Sequence, residues 1–303
     1  MSRFRYDTSH TWYKGNTHIH TTASDGGRTS AEVARMYAEQ GYHFLFHADH
    51  WVASDVAAET DRFPLLWLDG IELHGDDRGG NPYHVVCLGR FTGLDREMGL
   101  VAALEEARAQ GGLLILAHPD WIGNSLEDAL RYGFAGVEVY NHVCRWLNGK
   151  SSGEVYWHAM LERNPATLGL AVDDAHIRPE HPGWNGGWIM VNAPQCTRPA
   201  LLKAIRAGTF YASCGPEFHA LACRRNEVQV ETSPIRFARL VGPDWEGRRT
   251  GSFQGPLLTK FNLAIPPEWH YAYLEIEDDQ GRRAWTNNLW VEGKKPRREK
   301  RQK

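Results

Sequence analysis

No apolar run in this chain approaches the length of a membrane span, and the first ten residues contain no apolar signal-type segment, so the expected location is the cytoplasm. Cysteine is scarce: Cys87, Cys144, Cys196, Cys214 and Cys223 are odd in number and scattered, without a Cys-x-x-Cys pair, which excludes a disulfide framework and reads as reduced core residues. Charge of one sign is not in excess, the formal net value being -3, so composition gives no reason to expect a specific nucleic-acid partner or an acidic membrane surface. The local exception is the basic stretch 293–303, read as a solvated, disordered tail. A Gly-x-Gly-x-x-Gly nucleotide loop and solenoid-type repeats are both missing. What is abundant is histidine, 15 in all, with several beside acidic residues at the ends of apolar runs.

The densest such place is Asn16 to Gly26. On an extended segment residues two apart share a face, so His18 and His20 can present both imidazoles to one metal while Ile19 packs behind them. Ser24-Asp25-Gly26-Gly27 is turn chemistry that brings Asp25 back toward the same point. Imidazole with carboxylate suits zinc, manganese or iron.

Further along, the same grammar repeats. Thr29 to Glu32 has capping-box spacing and opens a helix that ends at Gly41. Apolar strands over 42–47, 65–71, 85–89, 113–117, 136–140 and 167–172 then end in or adjoin His50, Glu72, His84, His118, Glu138 with Asn141, and Asp174 with His176. The turn-like residues 75–82 suggest a hairpin insertion, and helices are expected over 95–110, 125–132, 154–163 and 199–207. Residues 142–153 and 177–188 read as loops. Strands alternating with helices describe parallel βα units, whose carboxyl ends share one face if they close into a barrel. From Thr209 helical periodicity disappears and short β-type runs take over. The expected organisation is therefore a barrel over 1–212, a small antiparallel β unit over 213–292 that either caps the barrel or forms a homo-oligomer interface, and the tail 293–303.

The motifs His18-x-His20 with Ser24-Asp25-Gly26, Ala48-Asp49-His50, Gly70-Ile71-Glu72, His84, Ala117-His118-Pro119, Glu138 to Asn141 and Asp174-Ala175-His176 resemble, in order, those of the polymerase and histidinol phosphatase (PHP) superfamily of metallohydrolases. The stretch from Ala204 to Pro216 and the β-rich end look like the branch containing carbaryl-type carbamate hydrolases. This resemblance implies a distorted (β/α)7 barrel with two or three divalent ions (manganese, iron or zinc). The first would be held by His18, His20, Glu72 and Asp174. The second would share Glu72 and add His84 and His118; the third would take Asp25, His50 and His176. The implied nucleophile is a metal-bridging hydroxide.

Around that set, Asp49 is expected to orient an imidazole, and Glu138 and Asn141 either support the site or end a strand. His142 and His181 are candidate general acids on the two loops. Arg28, Arg145, Lys150 and Arg178 are candidate contacts for an anionic small-molecule substrate. Trp51, Trp121, Trp184 and Trp188 flank ligand positions and are candidate walls of an aromatic pocket. Converging arginines would favour a phosphoester, the leading chemistry, whereas aromatic walls with little fixed positive charge would favour a carbamate, ester or amide. A non-catalytic metal-binding module is the reading of a different class.

Overall fold

A computed structural model of the chain describes residues 3–6, 10–56, 63–224 and 226–291. The tail 293–303 lies outside the described residues.

The first part of the chain alternates strands and helices: β1 (Arg3–Phe4), β2 (Thr11–Asn16), α1 (Ser30–Glu39), β3 (Phe44–Phe46), β4 (Leu66–Leu68), β5 (Gly70–Asp76), β6 (Pro82–Leu88), α2 (Leu100–Ala109), β7 (Leu113–Leu116), α3 (Pro119–Ile122), α4 (Leu126–Arg131), β8 (Gly136–Asn141), α5 (His142–Leu147), α6 (Glu154–Arg163) and β9 (Leu168–Val172). Then follow β10 (Trp188–Ala193), α7 (Arg198–Ala207), β11 (Phe210–Ser213), β12 (Phe218–Arg224), β13 (Glu227–Ile235), β14 (Phe237–Val241), β15 (Gly247–Gly251), β16 (Leu258–Ala264), β17 (Tyr273–Glu277), β18 (Arg283–Thr286) and β19 (Trp290–Val291).

The single closed barrel expected from the sequence is not found among the described residues. One sheet of nine strands runs β15-β14-β17-β18-β11-β10-β2-β3-β4, and a second of five runs β5-β6-β7-β8-β9. Asp69 parts β4 from β5, so the apolar run 65–72, read as one strand, contributes to both sheets. The sheets are joined by isolated parallel bridges, Ile19 to Ala175 and His50 to Glu72. Phe44, Phe46 and Leu68 from one sheet meet Val86, Ile115 and Leu170 from the other in a shared core. The expected hairpin is present: β5 and β6 pair antiparallel from Gly70 opposite Leu88 to Asp76 opposite Pro82. The nine-stranded sheet continues without a break from β2 and β10 through β11 into β18, β17 and β14, so a strand spans the anticipated boundary at 212.

Helix ends follow their chemistry. Thr29 and Glu32 form the capping box of α1, and Ser125 with Asp128 form that of α4. The helix expected from 95 starts only at Leu100, because Gly99 turns at φ +74° after a short 3-10 turn, Arg96–Met98. Residues 142–153 are not wholly a loop: the Asn141 side chain accepts from Cys144 N and starts α5. No helix among the described residues is long and apolar enough to cross a membrane.

Candidate metal centre

The ligand-type side chains gather along the seam where the two sheets meet. His18 and His20 follow β2, held in line by His20 N donating to Ala175 O and by Asp174 N donating to His18 O, both at 3.0 Å. Ile19 between them is fully buried against Val33, Ala34 and Tyr37. Asp25 is brought back by a tight turn in which Gly26 N donates to Thr21 O at 2.9 Å. A Cβ at Gly26 would stand 2.6 Å from the His20 backbone, so only glycine fits there. His50, Glu72, His84, His118, Asp174 and His176 complete the cluster from β3, β5, β6, β7 and β9. His118 and Asp174 adopt positive φ, +28° and +56°, a backbone cost that concentrates at functional positions.

Four groups bring their donor atoms within 4.8 Å of one another: His20, Asp25, His50 and His176; His18, Glu72 and His118; His18, His20 and Asp174; His50, Glu72 and His84. Glu72 belongs to two of them, as a bridging carboxylate would. Its Oε1 accepts from His84 Nδ1 at 2.8 Å. Its buried Oε2 receives no hydrogen bond, although His50 Nδ1, His18 Nε2 and His20 Nε2 stand 3.0, 3.3 and 3.4 Å away. Glu138 explains why His18 does not donate there: its Oε1 lies 2.6 Å from His18 Nδ1 and, as a carboxylate, only accepts. The proton of a neutral His18 is therefore on Nδ1, and its Nε2 lone pair faces Glu72 and Asp174 Oδ1. An imidazole lone pair turned toward two buried carboxylates is a favourable arrangement around a cation. The residues present thus fit a group of divalent ions.

Burial opposes ionisation of Glu72 and Asp174, yet His18 with His84 for the first and His18 with His20 for the second hold both carboxyls far below their ordinary values. Asp25 is likewise held down, against burial, by His176, His20 and His50. Burial drives His50 the other way for a base, down to about 4.

The supporting residues sort by contact. Glu138 Oε2 accepts from His118 N at 2.8 Å and from Asn141 Nδ2 at 2.9 Å, and Asn141 Nδ2 also reaches Asp174 Oδ2 at 3.3 Å. Asp49 braces the Asp25 turn: it accepts from Thr21 N, Thr21 Oγ1 and Ser24 Oγ at 2.7–2.8 Å. The sequence reading gave no role to Asp173, yet it accepts from Asn16 Nδ2, Tyr37 OH and the amides of Asn185, Gly186 and Gly187. It thereby anchors the segment 177–187 to the core.

A cavity of about 180 Å³ opens over the cluster. Trp121, Val143, Cys144 and Leu147 form its apolar side, and Arg178 and His181 stand at its edge. Arg178 also borders an outer cavity of about 360 Å³ shared with Arg28. His142 is not among the lining residues; its Nδ1 meets Tyr140 OH at 3.0 Å. Arg145 and Lys150 are exposed and do not line either cavity. Of the tryptophans, Trp121 lines the cavity, Trp51 Nε1 donates to His74 O, Trp184 packs beside Tyr37, and Trp188 packs against the core that contains Tyr37. Sequence reasoning missed His74, whose Nδ1 lies 3.0 Å from His50 Nδ1. Glu72-x-His74 repeats the spacing of His18-x-His20, and that was the available signal.

No family model and no curated protein matches the chain. Among solved structures, a two-domain protein from Bacteroides vulgatus, described as containing a predicted PHP-like metal-dependent phosphoesterase, superposes with a TM-score of 0.54 at 13% identity, over 90% of this chain and 91% of that one. An amidohydrolase from Chromobacterium violaceum gives 0.43 at 16% identity over 65% and 96%. The first similarity, extending across both the βα part and the β-rich end, shows that this chain has a PHP-like fold.

Proposed function

We propose that this protein is a metal-dependent hydrolase acting on small phosphoesters. The observation that carries the reading is the unsatisfied Glu72 Oε2, buried among imidazole nitrogens and faced by the Nε2 lone pair of His18. His18, His20, Glu72 and Asp174 would hold one ion, with His84, His118, Asp25, His50 and His176 holding the others. Divalent ions in such a site lower the pKa of coordinated water and polarise the scissile group. The chain's own residues do the rest. Glu138 keeps the His18 proton on Nδ1, Asp49 keeps Asp25 in place, and Asp173 fixes the segment bearing Arg178 and His181. Arg178 supplies the positive charge at the cavity edge for a phosphoryl oxygen, and His181 is assigned proton donation to the leaving oxygen. The description of the Bacteroides vulgatus protein supports phosphoester chemistry.

One observation favours a second reading. The wall of Trp121, Val143, Cys144 and Leu147, with Arg178 as the one Lys or Arg side chain among the described residues that lines the inner cavity, also suits a carbamate, ester or amide. The test is the initial rate of protein reconstituted with manganese, iron or zinc on matched aryl phosphate monoesters, aryl phosphodiesters and aryl carbamates. Chelator-sensitive turnover of the phosphates supports the first reading; faster carbamate cleavage replaces it with the second. Metal binding with no turnover of any of them would make the protein a non-catalytic module, whereas loss of turnover in folded Asp25→Ala or His118→Ala would mark it as an enzyme.

A further inference from the structure

Two residues outside the ligand groups bear on His50. Glu72 and His74 stand two apart on β5 and share a face, and the β5–β6 register sets His74 directly opposite His84. These two rings stack at 5.1 Å with 26° between their planes. From that position His74 Nδ1 lies 3.0 Å from His50 Nδ1, and on the far side Arg96 Nη2 lies 3.1 Å from His74 Nε2.

The proton positions follow from chemistry. A guanidinium donates and never accepts, so His74 Nε2 is the acceptor. A neutral ring with an accepting Nε2 carries its proton on Nδ1, so His74 donates to His50 Nδ1. This opposes ligation by His50 in either geometry. Ligation through Nδ1, on the side of Glu72, needs the lone pair that His74 engages. Ligation through Nε2, which faces Asp25 Oδ1 at 3.9 Å, needs the His50 proton on Nδ1, pointing at the proton of His74. The other tautomer of His74 removes both conflicts, but it places a proton on Nε2 against a donor of Arg96. The Arg96 contact and ligation by His50 therefore exclude each other.

Resting on the reading of the site as a metal centre, we propose that Arg96, acting through His74, holds His50 out of ligation, and that departure of Arg96 completes the centre. Arg96 is suited to leave: it is exposed, sits on the short 3-10 turn before α2, and has no carboxylate partner within ion-pair distance among the described residues. The exchange moves the His74 proton from Nδ1 to Nε2 and, for ligation through His50 Nε2, the His50 proton from Nε2 to Nδ1; both rings stay neutral. His74 and Arg96 are positioning residues, and the number of tightly held ions depends on them.

The experiment is a double-mutant cycle by isothermal titration of Mn²⁺ into the chelator-stripped full-length protein, comparing wild type, Arg96→Gln, His74→Phe and the double variant. Arg96→Gln is expected to tighten the weakest site about tenfold when His74 is present. With His74→Phe, the same change leaves only loss of an exposed, screened charge, about twofold or less. Equal gains in both backgrounds, or no gain in either, overturn the proposal while leaving the metal centre standing. A wild type that binds no divalent ion overturns the metal-centre reading itself, and this inference with it. Imidazole ¹⁵N shifts of stripped wild type give an independent readout: His74 is expected as the Nδ1–H tautomer, and an Nε2–H tautomer refutes the scheme.

Discussion

Replacing Glu138 with glutamine tests the tautomer logic at the heart of the site, because it keeps size and shape and changes only which atoms donate. Glu138 Oε1 faces one donor, His18 Nδ1, and Oε2 faces two, His118 N and Asn141 Nδ2. An amide has one oxygen, and turning its NH₂ toward Oε2 would set it against two donors, costing about 1–3 kcal/mol for each. The NH₂ therefore takes the Oε1 position and points at His18. His18 must then accept on Nδ1 and carry its proton on Nε2, the atom that faces Glu72 and Asp174. A ligand is lost without any ligand being mutated. Outer partners of this kind are worth about 10–100-fold in metal affinity, or about 1.4–2.8 kcal/mol. Isothermal titration of Mn²⁺ into stripped Glu138→Gln, with near-ultraviolet circular dichroism confirming the fold, measures it. Unchanged affinity in a folded variant would refute the reasoning.

Asp25→Ala and His118→Ala are expected to lower chelator-sensitive turnover by at least 10²-fold in protein that near-ultraviolet circular dichroism shows to be folded, checked by assay and spectrum together. In Asp173→Asn one amide oxygen cannot replace two carboxylate oxygens facing five donors; at least two charge-assisted hydrogen bonds go, a loss of about 3–6 kcal/mol in urea unfolding. Asp49 provides a pH test. Burial pushes its carboxyl up, but donors from His47, Ser24 and Thr21 outweigh burial and hold it at about 2, against an ordinary 3.8. The folded value is the lower one, so this stabilisation, about 2 kcal/mol, is present above pH 3.8 and is lost as pH falls toward 2. Asp49→Asn should flatten that part of the wild-type stability curve, and equal slopes would sink the assignment. Arg178→Gln is expected to raise KM for aryl phosphates about tenfold and to leave aryl carbamates nearly unchanged, in steady-state kinetics on both.

Much of this site is legible from spacing alone. His18 and His20 follow β2, His118 follows β7, Asp174 follows β9, and Glu72 and His84 lie within β5 and β6; a strand fixes which neighbours share a face, and the sequence states that period directly. The capping boxes at Thr29 and Ser125 are equally local. What escaped is set by partners distant in sequence. Asp173 beside Asp174 carries no sequence signal of its own role, and only the folded segment 185–187 shows that it collects backbone amides. The curvature of the sheets escaped too: nothing in the run 65–72 announces that Asp69 divides it between two sheets. The start of α5 was hidden because Asn141 could equally end a strand or cap a helix, and the choice depends on the Cys144 amide coming within reach.

The isolated bridges that join the two sheets, Ile19 to Ala175 and His50 to Glu72, fall within the ligand set: the first lies between the flanking pairs His18 and His20, and Asp174 and His176, and the second is made by two candidate ligands. The seam of the molecule and its chemical centre are the same place. Cations there would act as rivets, drawing together edges that backbone pairing alone only tacks. Stripping the metal would then loosen the architecture as well as remove the reactivity, and a protease would find the emptied protein first along that seam.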